Sequence, residues 1–192
     1  MRFLKTIILP VWLTAAWLNG QALTPRQAFI SAPDDVIATV DSITRLDMLD
    51  YYDSGSSVAS RNAFGGDTSV KSLNDVSITV ALSKASEVTI VPLEGHARGD
   101  SAILVINTLA LPTPDSYAVT YDRQWHLDTH YSLPDHNNLD LWILPDGNKL
   151  RDKIENAIPF IPAIYTYHDG VLTMTQTLSK LNGTDEYNLV KP

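Results

Sequence analysis

The sequence predicts an α+β fold in which N-terminal helices pack on an antiparallel β-sheet arranged as a meander. Apolar residues follow helical spacing between residues 24 and 55, and segments with strand-like alternation follow from residue 76 onward. Turn signals separate these segments at short intervals. One further helix is expected at 148–157, before a C-terminal hairpin. Residues 23–192 are predicted to form a single domain, and the alternative is a division into two halves near residue 145.

The first helix should begin with Thr24 as its N-cap and Pro25 at its first helical position. A second helical stretch is expected from Pro33, because apolar residues recur there at helical spacing. Thr44 predicts a new N-cap, and Gly55 predicts the exit from the helix. The residues expected to continue the apolar face after Thr44 are Leu46, Leu49 and either Tyr52 or Asp53.

Strands are expected over five segments that precede the further helix, at 76–82, 87–94, 101–109, 116–122 and 139–144. The segment 101–109 is apolar on both faces, which is typical of a central strand. Beyond the helix, strands at 162–168 and 171–178 flank Asp169 and Gly170, a pair typical of a hairpin turn. Asn182 and Gly183 predict a second such turn, before a last short strand at 187–190.

The first 22 residues have the pattern of a cleaved secretory signal peptide. Arg2 and Lys5 precede an apolar run at 7–18, and Gly20, Gln21 and Ala22 form a small-x-small cleavage pattern. An uncleaved anchor is the alternative, but the run is shorter than the roughly 20 residues that span a membrane. The sequence therefore predicts a periplasmic or secreted protein with no membrane span after cleavage.

The composition restricts the partners and the chemistry of the exported chain. The formal net charge is −8, and loss of Arg2 and Lys5 with the signal would take it from −8 to −10. Such an acidic chain repels phosphate backbones, so nucleic acid is not an expected partner. The chain has no cysteine, which excludes disulfides, thiol chemistry and a lipidated cysteine anchor.

Four segments resemble a family catalogued as domain of unknown function 3256. They are RLDMLDYYDSG at 45–55, NAFGGD at 62–67, LSKASEVTIVPLEG at 82–95 and PDSYAVTYDRQW at 114–125. The resemblance implies an exported or envelope protein of a Gram-negative bacterium. It implies no established activity, and no catalytic residue can be carried over from the family.

The best candidate for chemistry is a loop expected at 124–138, which is rich in histidine and aspartate. Its candidate ligands for zinc or another divalent metal are His126, Asp128, His130, Asp135 and His136. On a strand, histidines four residues apart would lie about 13 Å from each other, too far to share an ion. The alternative is a polar, aromatic loop at the sheet edge. We therefore assign no metal site, cofactor or catalytic residue.

Two further patterns have a structural and a functional interpretation. Asp47, Asp50 and Asp53 lie three residues apart, as in a solvated helix face, and calcium binding is the alternative. Tyr117 and Tyr121 belong to an alternating segment, which favours burial over an exposed platform for a ligand.

These observations predict an exported, non-catalytic module that binds a partner in the cell envelope, either a protein or a small or glycan ligand. The absence of a motif with catalytic spacing and the presence of a sheet with edges for recognition favour this function. The competing hypothesis is a periplasmic hydrolase or metal-binding protein that uses the loop at 124–138.

Overall fold

A computed structural model describes residues 23–93, 101–110, 114–128, 133, 162–178 and 181–188. Four predictions lie wholly or largely outside these residues: the signal peptide, the strand at 139–144, the helix at 148–157 and most of the loop at 124–138. The single-domain assignment for 23–192 stays a prediction.

Helix α1 spans Pro25–Ser31 and confirms the predicted entry. The hydroxyl of Thr24 accepts the N–H of Gln27 at 3.2 Å, and the Gln27 side chain accepts the N–H of Thr24 at 3.0 Å. This reciprocal capping satisfies two backbone donors that the first turn of a helix leaves free. Ala28 and Phe29, which follow this capped first turn, are fully buried and attach α1 to the core.

Helix α2 spans Ser42–Asp53, so the prediction of a helix from Pro33 is wrong. The N-cap is Asp41, whose carboxylate accepts the N–H of Thr44 at 2.8 Å. Thr39 has a φ of 77°, a left-handed conformation that interrupts a helix. The predicted cap at Thr44 is also wrong, because that residue donates to a cap. Gly55 has a φ of 65° and confirms the predicted exit.

The buried face of α2 also differs from the prediction. Leu49 is buried as expected, but Leu46 and Tyr52 are exposed. Arg45 and Met48 take their place in the interior. Helix α2 therefore has its N-cap three residues before the predicted cap at Thr44, after a turn in place of the predicted helix from Pro33, and it presents a different face to the sheet.

Six antiparallel strands form the main sheet in sequence order. They are β1 (Ser60–Arg61), β2 (Asp67–Leu73), β3 (Ile78–Ser83), β4 (Ser86–Leu93), β5 (Ala102–Leu109) and β6 (Asp115–Asp122). The predicted meander is confirmed, and β3 to β6 match four of the predicted strands. Strand β2 was missed because its polar sequence, DTSVKSL, has only one buried apolar residue, Val70.

A second, three-stranded antiparallel sheet contains β7 (Ala163–His168), β8 (Val171–Leu178) and β9 (Leu181–Asn188). Asp169 and Gly170 have φ values of 48° and 86° and confirm the predicted hairpin turn. The predicted turn at Asn182 and Gly183 is wrong. Both residues lie in β9, because the pairing of Leu178 with Leu181 places the chain reversal before them.

The main sheet lies between two apolar layers. On one face, Ile103 and Val105 of β5 pack in a cluster that includes both helices. On the other face, Leu104 and Ile106 pack in a cluster that includes Leu172 and other residues of the second sheet. Since successive side chains of a strand point to opposite faces, the buried part of β5, residues 102–106, must be apolar on both faces. The predicted central strand is confirmed.

One buried hydroxyl connects the two sheets. Ser116 of β6 donates to the carbonyl of Ala163 at 3.1 Å and accepts the N–H of Tyr165 at 2.7 Å. The Asp115 carboxylate accepts the N–H of Ala163 at 3.0 Å. These side chains bond the backbone of β7 as a neighbouring strand would. Neither helix in the described part of the chain has the length and hydropathy needed to cross a membrane.

Candidate functional site

The described start of the predicted histidine and aspartate loop is a tight turn on the end of β6. Asp122 donates its N–H to the carbonyl of His126 at 2.8 Å, and Asp128 donates its N–H to the carbonyl of Thr120 at 2.8 Å. Leu127 also forms an isolated antiparallel bridge with Tyr121, so the described start of the loop folds back on β6. The remaining candidate ligands, His130, Asp135 and His136, lie outside the described residues.

His126 is paired with a carboxylate that the sequence did not indicate. Its Nδ1 lies 3.1 Å from Oδ2 of Asp122, and the imidazole is exposed. Partial burial raises the pKa of Asp122, but hydrogen bonds from the N–H and ring of His126 and from the N–H of Gln124 outweigh it and lower that pKa. Within the described segments, no three His, Asp or Glu side chains are grouped so as to hold a metal.

Trp125 gives this turn a connection to the core. Its indole is only 9% exposed, its Nε1 donates to Oγ of Ser31 at 3.2 Å, and its ring centroid lies 5.6 Å from that of Tyr121. Tyr121 packs against the helix-side cluster as predicted, but the prediction of burial is wrong for Tyr117, which is exposed. The turn formed by residues 122–126, which we call the Trp125 turn, therefore anchors α1 to β6.

The three aspartates of α2 lie on the solvent face, as predicted. Asp47 and Asp50 are exposed, and Asp53 pairs with Arg26 of α1 at 2.7 Å. The hydrogen bond from Arg26 lowers the pKa of Asp53, and the same bond raises the pKa of Arg26. This pair links the two helices at the surface.

A second turn, formed by residues 62–66 between β1 and β2, presents Phe64 to solvent. The Phe64 side chain is 86% exposed, the highest value among the exposed large apolar residues of the described chain. Oδ1 of Asn62 accepts the N–H groups of Phe64 and Gly66, each at 2.9 Å, and Nδ2 of Asn62 donates to the carbonyl of Leu82 at 2.8 Å. We call this segment the Phe64 turn.

Residues outside the Phe64 turn also hydrogen-bond its backbone. Arg61 donates to the carbonyl of Gly65 at 2.8 Å and pairs with Asp67 at 2.9 Å. Gly65 has a φ of 77°, which glycine adopts without steric cost. Ala63 donates its N–H to the carbonyl of Thr39 at 2.8 Å. The exposed phenyl ring therefore projects from a backbone that is bonded on both sides.

A cleft of about 380 Å³ lies between the Phe64 turn and the start of α2. Asp34 and Asp41 line it, together with Thr44 and Arg61. The N–H and hydroxyl of Thr44 hydrogen-bond the Asp41 carboxylate and lower its pKa, so Asp41 is ionised at neutral pH. Arg61 is paired with Asp67 and Asp34 is paired with Arg45, so the Asp41 carboxylate gives the cleft its excess negative charge.

Arg45 lies buried beside this cleft and fixes one of its carboxylates. Its Nη2 lies 3.1 Å from Oδ1 of Asp34, and its Nη1 donates to the carbonyl of Val40 at 2.9 Å. The guanidinium is almost fully buried, whereas Asp34 extends to the surface. The sequence did not indicate this role of Arg45, because its partners, Asp34 and Val40, belong to a turn that precedes the helix.

These layers and this site define an α+β protein with two antiparallel sheets and a fixed surface turn beside an acidic cleft. The chain belongs to the family described as "Protein of unknown function (DUF3256)", whose model matches residues 18–192. The resemblance seen in the sequence is thereby confirmed. None of the curated proteins compared with the chain matches it.

A solved structure similar to this chain is described as "Structure of a domain of an uncharacterized protein from Porphyromonas gingivalis W83". The two chains are 19% identical, with a TM-score of 0.56, and the match covers 79% of each. At this identity the similarity establishes the fold alone.

Proposed function

We propose that the protein is an exported, non-catalytic binding module that recognises a protein partner through the Phe64 turn and its neighbouring cleft. The observation that carries this proposal is the Phe64 side chain, 86% exposed on a turn fixed by hydrogen bonds. A single exposed apolar residue is common on protein surfaces. At Phe64 the exposed phenyl ring stands on a backbone that hydrogen bonds already restrict, which suits it to recognition.

Restriction of the turn favours binding because little conformational entropy remains to be lost on association. Aromatic side chains that fill a pocket of the partner contribute most of the energy in many protein interfaces. Phe64 can fill such a pocket without rearrangement of the backbone, because Asn62 and Arg61 already hold the turn.

The charge beside Phe64 indicates the chemistry of the partner. Of the charged residues that line the cleft, Arg61 is neutralised by Asp67 and Asp34 by Arg45, so Asp41 contributes an excess negative charge. The whole chain carries a formal net charge of −8. The complementary surface is therefore an apolar pocket flanked by lysine or arginine side chains.

The proposed location is the periplasm or the cell exterior of a Gram-negative bacterium. The basic, apolar and small-residue segments within residues 1–22 support export. Mass spectrometry of the protein from fractionated cells should find a mature N-terminus near Leu23. Full-length protein in the cytoplasm would contradict this location.

The binding proposal is tested by comparing wild-type, Phe64→Ala and Tyr117→Ala proteins as affinity baits on envelope extracts. Tyr117 is the matched control, since it is also an exposed aromatic residue but lies on β6. A partner retained by the wild type and by Tyr117→Ala should bind Phe64→Ala at least tenfold more weakly once purified. Equal affinity for all three proteins would refute the proposal.

The His126–Asp122 pair supports a second candidate, metal binding or hydrolysis by the loop at 124–138. This candidate is tested by titrating zinc into the full chain and into a His126→Ala variant. A stoichiometric site that the substitution abolishes would favour it. No binding in the wild type would leave the binding module as the better account.

A further inference from the structure

A second cavity lies at the other end of α2 and has a different chemical character from the acidic cleft. It is a groove of about 260 Å³ between the end of α2, the loop at 55–58 and the start of β2. We call it the tyrosine groove, after Tyr51 and Tyr52. The loop is held in place by an N–H bond from Ser56 to the carbonyl of Tyr51 at 2.9 Å and one from Val58 to Oγ of Ser56 at 3.1 Å.

The lining of the tyrosine groove combines apolar surface with hydroxyl groups. Aromatic and aliphatic surface comes from the two tyrosines and from residues such as Val58 and Val70. Hydroxyl groups come from Ser56, Thr68 and Ser69. None of the lining residues, all of which belong to the described chain, carries a charge. This composition suits a neutral ligand that has both an apolar face and hydroxyl groups.

The volume limits the ligand to a small one. Pockets for drug-sized molecules begin at about 300 Å³, slightly above the volume of this groove. A single sugar ring combines small size, neutrality, an apolar face and several hydroxyls. We propose that the tyrosine groove binds one neutral saccharide unit, independently of the partner that we propose for the Phe64 turn.

Thr68 supplies a second observation that points to a ligand in the groove. The residue is 1% exposed, and its Oγ1 has no hydrogen-bond partner among the described residues. A buried hydroxyl without a partner destabilises the folded state. Because Thr68 lines the groove, a hydroxyl group of a bound ligand would supply the hydrogen-bond partner that Oγ1 lacks.

Ser60 provides an internal comparison for Thr68. The two residues are directly opposite each other in the β1–β2 pair, and Oγ of Ser60 is also buried and unpartnered in the described part of the structure. Ser60 does not line the groove. The two hydroxyls are therefore both buried and unpartnered in the described structure, and only Thr68 lines the groove.

The proposal is tested by NMR titration of the full chain with the methyl glycosides of glucose, mannose and N-acetylglucosamine. At least one sugar should shift the amide signals of Gly55, Ser56 and Ser69, and should saturate with a Kd of about 1 mM or tighter. If none of the three sugars shifts these signals in a saturable way, the proposal is wrong.

Two pairs of variants separate binding from folding. Thr68→Val should raise the unfolding midpoint and weaken sugar binding at least tenfold, whereas Ser60→Ala should leave sugar binding unchanged. Tyr52→Ala should also lose at least tenfold, with Tyr117→Ala as its control. Thr68→Val binding as well as the wild type would overturn the role of this hydroxyl, and Tyr52→Ala binding equally well would overturn the site.

The Phe64→Ala variant distinguishes the two proposals. It should bind the sugar with wild-type affinity, because Phe64 is not among the residues that line the tyrosine groove. Loss of sugar binding in Phe64→Ala would place the sugar elsewhere and contradict the assignment to this groove.

Discussion

The Phe64 turn and the Trp125 turn have the same backbone hydrogen bonds but opposite uses of their aromatic residue. In each, the side chain of the first residue accepts the N–H groups of the third and fifth residues, from Asn62 in one turn and Asp122 in the other. In each, the first residue also bonds the fifth through their backbones. Phe64 nevertheless faces solvent, whereas Trp125 is buried.

The residue at the fourth position of each turn, Gly65 or Trp125, explains part of this difference in aromatic exposure. It is left-handed in both turns, with φ values of 77° at Gly65 and 65° at Trp125. Glycine adopts this conformation freely, but an L-residue with a side chain incurs about 1–2 kcal/mol. Burial of the indole and its hydrogen bond to Ser31 offset this strain at Trp125. No comparable strain has to be offset in the Phe64 turn, so its aromatic residue is available for binding.

The largest effect is expected from Trp125→Ala. The substitution removes a large buried side chain while alanine keeps the left-handed strain, so the free energy of unfolding should fall by about 3 kcal/mol. Phe64→Ala, its counterpart, should change this free energy by less than about 0.5 kcal/mol. Urea denaturation followed by circular dichroism measures both. Similar losses in the two variants would contradict the proposed difference between the turns.

A smaller effect is expected from Asn62→Ala. This substitution removes three hydrogen bonds, to Phe64, Gly66 and Leu82, and should lower the free energy of unfolding by about 2 kcal/mol. Asn74→Ala is a matched control at the β2–β3 turn, where the side chain accepts two N–H groups and should contribute less. Greater destabilisation by Asn74→Ala would show that Asn62 does not fix the Phe64 turn.

The smallest effect concerns the pH dependence that Asp122 contributes. Its pKa is lower in the folded protein than its ordinary value of about 3.9. The ionised Asp122 carboxylate therefore stabilises the folded state above about pH 4, and this stabilisation disappears as the pH falls through the pKa of Asp122 in the folded protein. Unfolding measured between pH 7 and 3 should show the wild type losing its advantage over Asp122→Asn at the acidic end. A constant difference across this range would exclude a stabilising role for the ionised carboxylate.

Local patterns predicted the fold where a single side chain or pair determines the structure. Thr24 capped α1 as expected, Asp169 and Gly170 formed the hairpin, and the apolar segment at 101–109 became the central strand β5. Predictions failed where two local signals competed. Asp41 replaced Thr44 as the cap, and the Asn182–Gly183 pair was placed inside β9 by the pairing of its neighbours.

The candidate site was less predictable, because it depends on which residues meet in space. The glycines of the Phe64 turn were visible in the sequence, but the exposure of Phe64 depends on bonds to Arg61, Thr39 and Leu82. The partner of His126 proved to be Asp122, which lies outside the predicted loop at 124–138. The sequence signal that could have revealed both turns is the residue type at their first position. Asn62 and Asp122 have side chains that commonly accept hydrogen bonds from backbone N–H groups a few residues later.

The most direct test of the binding account is the affinity of the purified envelope partner for Phe64→Ala, measured beside the stability of that variant. We predict at least a tenfold loss of affinity with an unchanged free energy of unfolding. Wild-type affinity, or a loss of affinity that is matched by a loss of stability, would contradict the account.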